Sequence, residues 1–444
     1  MSKLQRTLIL GLKIFLLGLI LHFIVYNFVT YVLHIQGPLM DIIWLWKEIF
    51  TVWFFGILVY YILHYKELRI FRHDKTLRWL QLSFIALLIV TFLFTMIKGL
   101  GIWVYILAFK YDFIGYFIFF TCYYLYKYLP EKTTEKLNKW YILIIQTLLV
   151  CALIWWCAIL IKPGVLKIFG YTTTSIEWQV GEQPPAVYRT GESQGYPRNQ
   201  FLFERPISWW FFLTAFFPLF YIYVLQRRSF RKTWFRWLVF ALNVILTFSR
   251  AAWLARVAQL IILGIMDYRR NIKKYLLRVL IPMFVVLIAI AYLGRSQIID
   301  RSFSNTGHIQ LFLQWWHMFT QDPLIGKWAA YVGPGSHWEW GIAFNPENQY
   351  LQILIEFGII GFLLWMPMYL FLNWVGFRDF FTIRKNKDIP QHYWTILAMS
   401  IGMVGLSISW FVLHSFTDRM IVYPMMALFG LILANHQKEM HHKH

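Results

Sequence analysis

The chain alternates long apolar stretches with short polar ones. A helix that crosses the hydrocarbon layer of a bilayer needs about 20 mostly apolar residues. Twelve stretches have that character, roughly at 7–33, 41–64, 79–97, 104–126, 140–161, 207–225, 233–248, 251–266, 279–293, 350–374, 393–414 and 420–436. The predicted fold is an all-α polytopic integral membrane protein with about twelve transmembrane helices. Lys3 and Arg6 precede an apolar run to about Leu33 with no small-residue cleavage site, so the first stretch is expected to stay as a helix. Two spans are separated only by Ser249 and Arg250. One long helix from 233 to 266 would put the basic segment DYRRNIKKYLLR on the outside, so a hairpin is predicted. Its 16-residue arms would each reach about 24 Å, short of a core of about 30 Å. The tip, with Arg250, is therefore expected within the outer leaflet.

Composition agrees. Hydrophobic residues make up 59% of the chain, charged residues only 14%, and mean hydropathy is +0.53. A soluble domain is about 25% charged, so solubility, disorder and coiled coil are excluded. The net charge of +21 would suit nucleic acid if it lay on one folded face, but it falls in clusters between spans. Counted by side with the N-terminus inside, the inner segments hold 27 Lys and Arg and the outer segments 11. This asymmetry predicts cytoplasmic termini. Cys122, Cys151 and Cys157 lie in apolar stretches without metal or redox spacing, so neither disulfide nor zinc is expected.

Two outer loops, 162–206 and 294–349, exceed simple turns. The second contains GHIQLFLQWWHMFTQ, which places Gln310, Gln314, His317 and Gln321 on one helical face, as in a helix lying in the membrane interface. No phosphate-binding glycine loop, HExxH or nucleophile elbow occurs. The candidate chemistry lies in ionisable residues at membrane depth. Lys47 with Glu48 and Lys110 with Asp112 form either ion pairs holding the bundle or the wall of a polar cavity. Arg250 is either a snorkelling anchor or a fork of donors for phosphate. In PENQYLQILIEFGIIGF (346–362), Glu347 either caps a helix starting near Gln349 or acts as a general base. Glu356, Gly358 and Gly361 suggest close helix packing.

LTFSRAAWLA (246–255) and ENQYLQILIEFGIIG (347–361) resemble the two signature regions of the O-antigen ligase and polymerase family. The resemblance covers the C-terminal half (233–444, spans 7–12) by motif and the N-terminal half (1–232, spans 1–6) by topology. It implies a GT-C-type helical membrane fold in the bacterial inner membrane. It also implies transfer of a glycan from an undecaprenyl pyrophosphate carrier to a glycan or lipid acceptor at the outer face, without metal, cofactor or nucleotide sugar. A chain-length regulator is a further expected partner. By resemblance, Arg250 binds the pyrophosphate. Glu347 stands where ligases usually carry a histidine, and His308, with Arg301 nearby, where a second arginine is common. These departures suit a polymerase, with lipid A-core or protein ligation as the alternative and a transporter or flippase as the alternative from another class. The expected site is Glu347 as base with His308 beside it and Arg250 and Arg301 on the pyrophosphate. His337, Asn348, Lys47 and Lys110 are supporting candidates, and Trp315, Trp316, Trp338 and Trp340 could stack on sugar rings.

Overall fold

The computed structural model describes residues 2–35, 37–65, 75–130, 132–171, 197–203, 205–225, 230–275, 284, 288, 302–333, 335–336, 348–385, 388–411 and 418–441. The helices, in chain order, are α1 (Lys3–Asn27), α2 (Pro38–His64), α3 (Lys75–Ile97), α4 (Ile102–Ala108), α5 (Ile114–Leu125), α6 (Thr133–Ile161), α7 (Pro206–Phe220), α8 (Phe230–Ile245), α9 (Arg250–Tyr275), α10 (Ser302–Gln321), α11 (Gln349–Ile383), α12 (Gln391–Ser409) and α13 (Arg419–His441). A π-helical turn, Phe109–Phe113, joins α4 to α5 within one span.

Nine helical spans among the described residues are long and apolar enough to cross a membrane. They correspond to nine of the twelve expected. Of the other three, 233–248 overlaps the 16-residue α8 and 251–266 coincides with the apolar part of α9, Ala251–Met266, both below full span length. The stretch 279–293 lies outside the described residues, apart from positions 284 and 288. The hairpin expectation holds, because the chain leaves the helix after Ile245 and re-enters at Arg250.

The spans differ in depth. Within the bundle, 83% of the most apolar stretch of α7 and of α13 is buried, against 28% for α2 and α3. The inner helices therefore carry contact surface on every side, while the outer ones present apolar residues such as Ile42, Val52 and Ile89 to the surroundings. Without a hydrophobic force between helices in lipid, close backbone approach does the work. Gly430 of α13 is one such position, since a Cβ there would stand 2.4 Å from the Phe119 carbonyl oxygen of α5.

Contacts at the two ends show neighbouring spans running in opposite directions. At one end, Gln5 near the start of α1 meets the chain just after α5, and Tyr126 Oη donates to Asn435 Oδ1 at 2.8 Å. The same end carries Asp379, His436 and His392, with His436 Nε2 3.2 Å from Asp379 Oδ2 and 2.9 Å between the histidine Nδ1 atoms. At the other end lie the starts of α2, α4, α9, α11 and α13. Of the residues anticipated from the sequence, Lys47, Lys110, Asn348 and the backbone of Arg250 lie toward that end.

α10 forms as expected and starts at Ser302. Leu311, Trp315, Met318 and Phe319 turn one face onto Leu351 and Ile355 of α11. Gln310, Gln314, His317 and Gln321 are exposed, beside exposed Ile309, Phe312, Leu313 and Trp316. This leaves an amphipathic free surface of the kind that lies along an interface.

Candidate functional site

The segment 246–250 is held by Arg198 and Asn199. Asn199 N donates to Leu246 O at 2.7 Å and Arg198 Nε to Thr247 O at 2.8 Å. Below them, Asn199 Nδ2 donates to Asn243 Oδ1 at 3.0 Å, and Asn243 Nδ2 donates in turn to Leu149 O at 2.9 Å. Phe248 takes a left-handed φ of 50°, a conformation uncommon for a bulky residue. The chain reverses there, and Ser249 Oγ accepts from Ala252 N at 3.4 Å, capping α9. Arg250 is thereby the first residue of α9. An anion at a helix start meets backbone amide groups that have no partner within the helix.

α9 packs on α7 and α12. Gln259 Nε2 donates to Thr214 O at 2.8 Å and to Ile401 O at 3.1 Å. The nine residues from Gln259 back to Arg250 span about 14 Å of helix, which brings Arg250 toward the Trp410 end of α12. Trp410 O accepts from Gln349 N at 3.0 Å, and Phe411 O accepts from Asn348 Nδ2 at 3.1 Å. The starts of α9 and α11 thus share one end of α12.

At the start of α11 the capping role is taken. Asn348 Oδ1 accepts from Leu351 N at 2.9 Å, so Asn348 is a structural cap and the helix does not need Glu347 for that purpose. Two turns on, α11 is broken at Gly358, where φ is 62° and ψ is −168°. The loop after α10 fills the break. Ile359 N donates to Pro323 O at 2.8 Å, Ile360 N to Leu324 O at 3.2 Å, and Lys327 N to Ile355 O at 2.7 Å. Backbone groups freed inside a membrane must find partners, and this loop supplies them. Lys98 reaches into the same loop from the end of α3, donating to Gly326 O and Lys327 O at 2.5 and 2.6 Å. Burial pushes its ammonium below the ordinary lysine range, although nearby Asp322 pulls the other way. The close packing expected of Gly358 exists, but with an inserted loop in place of a neighbouring helix.

Ahead of the break, Gln349, Gln352 and Glu356 share one face of α11 by their i, i+3, i+7 spacing, and all are nearly inaccessible. Gln352 Nε2 donates to Asp112 Oδ1 at 3.0 Å, and Val332 N donates to Glu356 Oε1 at 3.2 Å. Glu356 Oε2, Gln352 Oε1 and both polar atoms of the Gln349 side chain have no hydrogen-bond partner among the described residues. Asp112 and Glu356 are electrostatic neighbours. Asp112 belongs to the π-helical turn of the fourth span, a feature that often marks functional positions.

On the opposite side of that turn lies a second polar group. Glu48 Oε1 is 3.0 Å from Arg419 Nη1 and 3.7 Å from Lys110 Nζ, and Glu48 Oε2 is 3.7 Å from Lys47 Nζ. Lys47 also donates to Trp44 O and lies 3.3 Å from His22 Nε2, while Trp46 Nε1 donates to His22 Nδ1 at 3.0 Å. The Lys47–Glu48 pair expected from the sequence is present. The Lys110–Asp112 pair is not among the contacts, because helical residues two apart lie on different faces: Lys110 meets Glu48 and Asp112 meets Gln352.

Other expected residues are placed as follows. Glu347, Arg301 and His337 lie outside the described residues, as do Trp338 and Trp340. Arg250 and His308 are placed by backbone only, at the first turn of α9 and within α10. Trp315 is 3% exposed inside the α10–α11 contact, so it is unavailable to a sugar, while Trp316 is exposed. Sequence reading gave no role to Arg419, His22, Gln349 or Gln352. The signal for Arg419 was an arginine opening an apolar helix directly after Asp418.

These features describe an all-helical membrane protein whose described spans bring ionisable side chains together from α2, the α4–α5 turn, the first turns of α11 and the start of α13. Residues 234–366, from α8 to the middle of α11, match the family model described as O-antigen ligase. The match supports the family expected from the two motif segments, and with it a ligase- or polymerase-type enzyme acting at a bacterial membrane on a lipid-linked glycan and an acceptor. No curated protein and no solved structure matches the chain.

Proposed function

We propose that the protein is a surface-polysaccharide polymerase of the bacterial inner membrane, of GT-C type, moving a glycan from an undecaprenyl pyrophosphate carrier to the end of another glycan at the outward face. The observation that carries this reading is the family match over 234–366, which contains both motif segments. In support, the starts of α9 and α11 share one end of α12. Arg250 and Arg301 hold the carrier pyrophosphate. Glu347, at the mouth of α11, accepts the proton of the acceptor hydroxyl. The hydroxyl oxygen bonds to the anomeric carbon as the carbon–oxygen bond to the pyrophosphate breaks, and the electron pair leaves on the pyrophosphate. The two guanidinium groups offset that charge, as preorganised donors do. His308 orients a phosphate or the acceptor. The C-terminal half, 233–444, carries this chemistry, and the N-terminal half supplies Lys47 and Lys110.

A second reading is ligation of a finished glycan to a lipid A-core or protein acceptor, favoured by the ligase description of the matching family. Reconstituted protein given undecaprenyl-pyrophosphate-linked repeat units should build a ladder of lengthening products. Transfer only onto added lipid A-core or protein would establish the ligase, and no transfer to any of these acceptors would overturn both readings. For orientation, Thr190→Cys but not Lys132→Cys should react with an impermeant reagent on intact cells, in a background lacking the native cysteines. The reverse pattern would invert the topology.

A further inference from the structure

The Glu48 cluster has more positive charge than it can neutralise. Arg419 and Lys110 converge on one oxygen of a single carboxylate, and Lys47 stands behind the other. No further carboxylate joins them among the described residues, although Asp112 is two positions from Lys110 in sequence. The cluster is open on one side: side-chain exposure is 23% at Lys110, 17% at Glu48 and 14% at Arg419, against 1% at Lys47. Aromatic rings hold the guanidinium in place, with Arg419 Cζ 4.9 Å from the Tyr111 ring centre and 5.6 Å from that of Trp44. Uncompensated cations at membrane depth are costly and are retained for function.

We propose that Lys47, Lys110 and Arg419 around Glu48 form a second diphosphate subsite, apart from Arg250, which holds the carrier diphosphate of the acceptor when two lipid-linked glycans are joined. The chemistry favours phosphate. An arginine fork and two amines offer many donors and no acceptor. A diphosphate presents several charged oxygens, enough to meet the fork and an ammonium together. The location also fits. Glu48, Lys110 and Arg419 come from α2, the α4–α5 turn and α13, whereas Arg250 opens α9, which packs on α7 and α12. Joining two carrier-linked chains brings two diphosphates to one catalytic end, and a single arginine site serves one of them. The acceptor assignment rests on the polymerase reading; the anion subsite itself does not.

The experiment measures binding, independently of transfer. Full-length protein in phosphatidylcholine nanodiscs is titrated with inorganic pyrophosphate and with farnesyl diphosphate. The wild type should bind two equivalents of each, and Arg250→Ala should retain one. In that background, Arg419→Gln or Lys110→Gln should weaken the remaining site roughly tenfold or more, the loss of one charge-assisted hydrogen bond. Glu48→Gln should act in the opposite sense, tightening the site by removing a competing carboxylate, and added pyrophosphate should raise its melting temperature more than that of wild type. If Glu48 were only the hub of an ion-pair network, Glu48→Gln would destabilise the protein with no rescue by pyrophosphate, and the subsite would be refuted. Loss of all binding on Arg250→Ala would refute it equally. Nanodiscs containing phosphatidylglycerol identify the source: full competition by that lipid would give the cluster to membrane phospholipid and overturn the acceptor assignment. An intact cluster site in a protein without transfer activity would count against the polymerase reading alone. Normal transfer with no cluster site would count against the subsite alone.

Discussion

The two sides of the π-helical turn at Phe109–Phe113 are opposites. On one side, Lys47, Lys110 and Arg419 share the single carboxylate of Glu48. On the other, Asp112 and Glu356 meet amides and a backbone N–H, with no cation in contact among the described residues. A single residue, Tyr111, separates Lys110 in a site with surplus positive charge from Asp112 in one with surplus acid. Helical residues two apart lie on different faces, which keeps Lys110 and Asp112 from neutralising one another. Charge kept apart inside a membrane is available to a ligand or a proton, whereas charge that is paired only holds helices together. The Arg378–Asp379–His436 contacts at the other end of the bundle, where cation and carboxylate meet directly, show the paired alternative.

Apart from the general base, the largest effect expected is at Arg250, the first residue of α9. Arg250→Ala should cut glycan transfer about 10²–10³-fold, as loss of one preorganised donor does. Arg250→Lys should fail nearly as badly, since one ammonium cannot reproduce a bidentate fork. Full polymer production by the lysine variant at normal expression would reduce Arg250 to an anchor and leave the Glu48 cluster as the main anion site.

Next in size is Gly358→Ala. The left-handed backbone there disfavours any side chain, and the new Cβ would lie 2.3 Å from Leu324 O. Strain of this kind costs about 1–3 kcal/mol, before any displacement of the inserted loop. Thermal unfolding should shift down accordingly. An unchanged melting temperature would mean that α11 is continuous and that Glu356 is not held against Asp112 by the break.

The smallest effect is at the cap. Asn348→Ala should lower stability by about 0.5–2 kcal/mol, while the per-molecule rate of transfer in folded protein stays near wild type. A rate loss beyond tenfold with unchanged stability would make Asn348 part of the chemistry.

What the sequence made legible follows from what is local. Apolar length marks a span whatever it packs against, so nine spans, the hairpin at 246–249 and the amphipathic α10 could be read directly. The position of Arg250 at a helix start was legible for the same reason, since the break in hydropathy coincides with the cap. The pairing of charges was not. Whether Lys110 meets Asp112 or Glu48 depends on the turn between them and on α2 and α13, which are distant in sequence. Arg419 was invisible as a partner because nothing near it in the chain indicates that its guanidinium meets Glu48, 371 residues away. The break in α11 was hidden too, because Gly358 in an apolar run reads as a packing glycine until the 323–327 loop is seen to fill the gap.

The most direct test of the account is the transfer rate of Glu347→Gln, measured with a purified undecaprenyl-pyrophosphate-linked substrate and with melting temperature recorded alongside. Asn348 already caps α11, so the amide should leave folding intact. It cannot take the acceptor's proton, and loss of a general base typically costs about 10²–10⁴-fold in rate. The account predicts an unchanged melting temperature with transfer reduced into that range. A variant that keeps more than about a tenth of the wild-type rate, well short of such a loss, would contradict the assignment of Glu347 as the base.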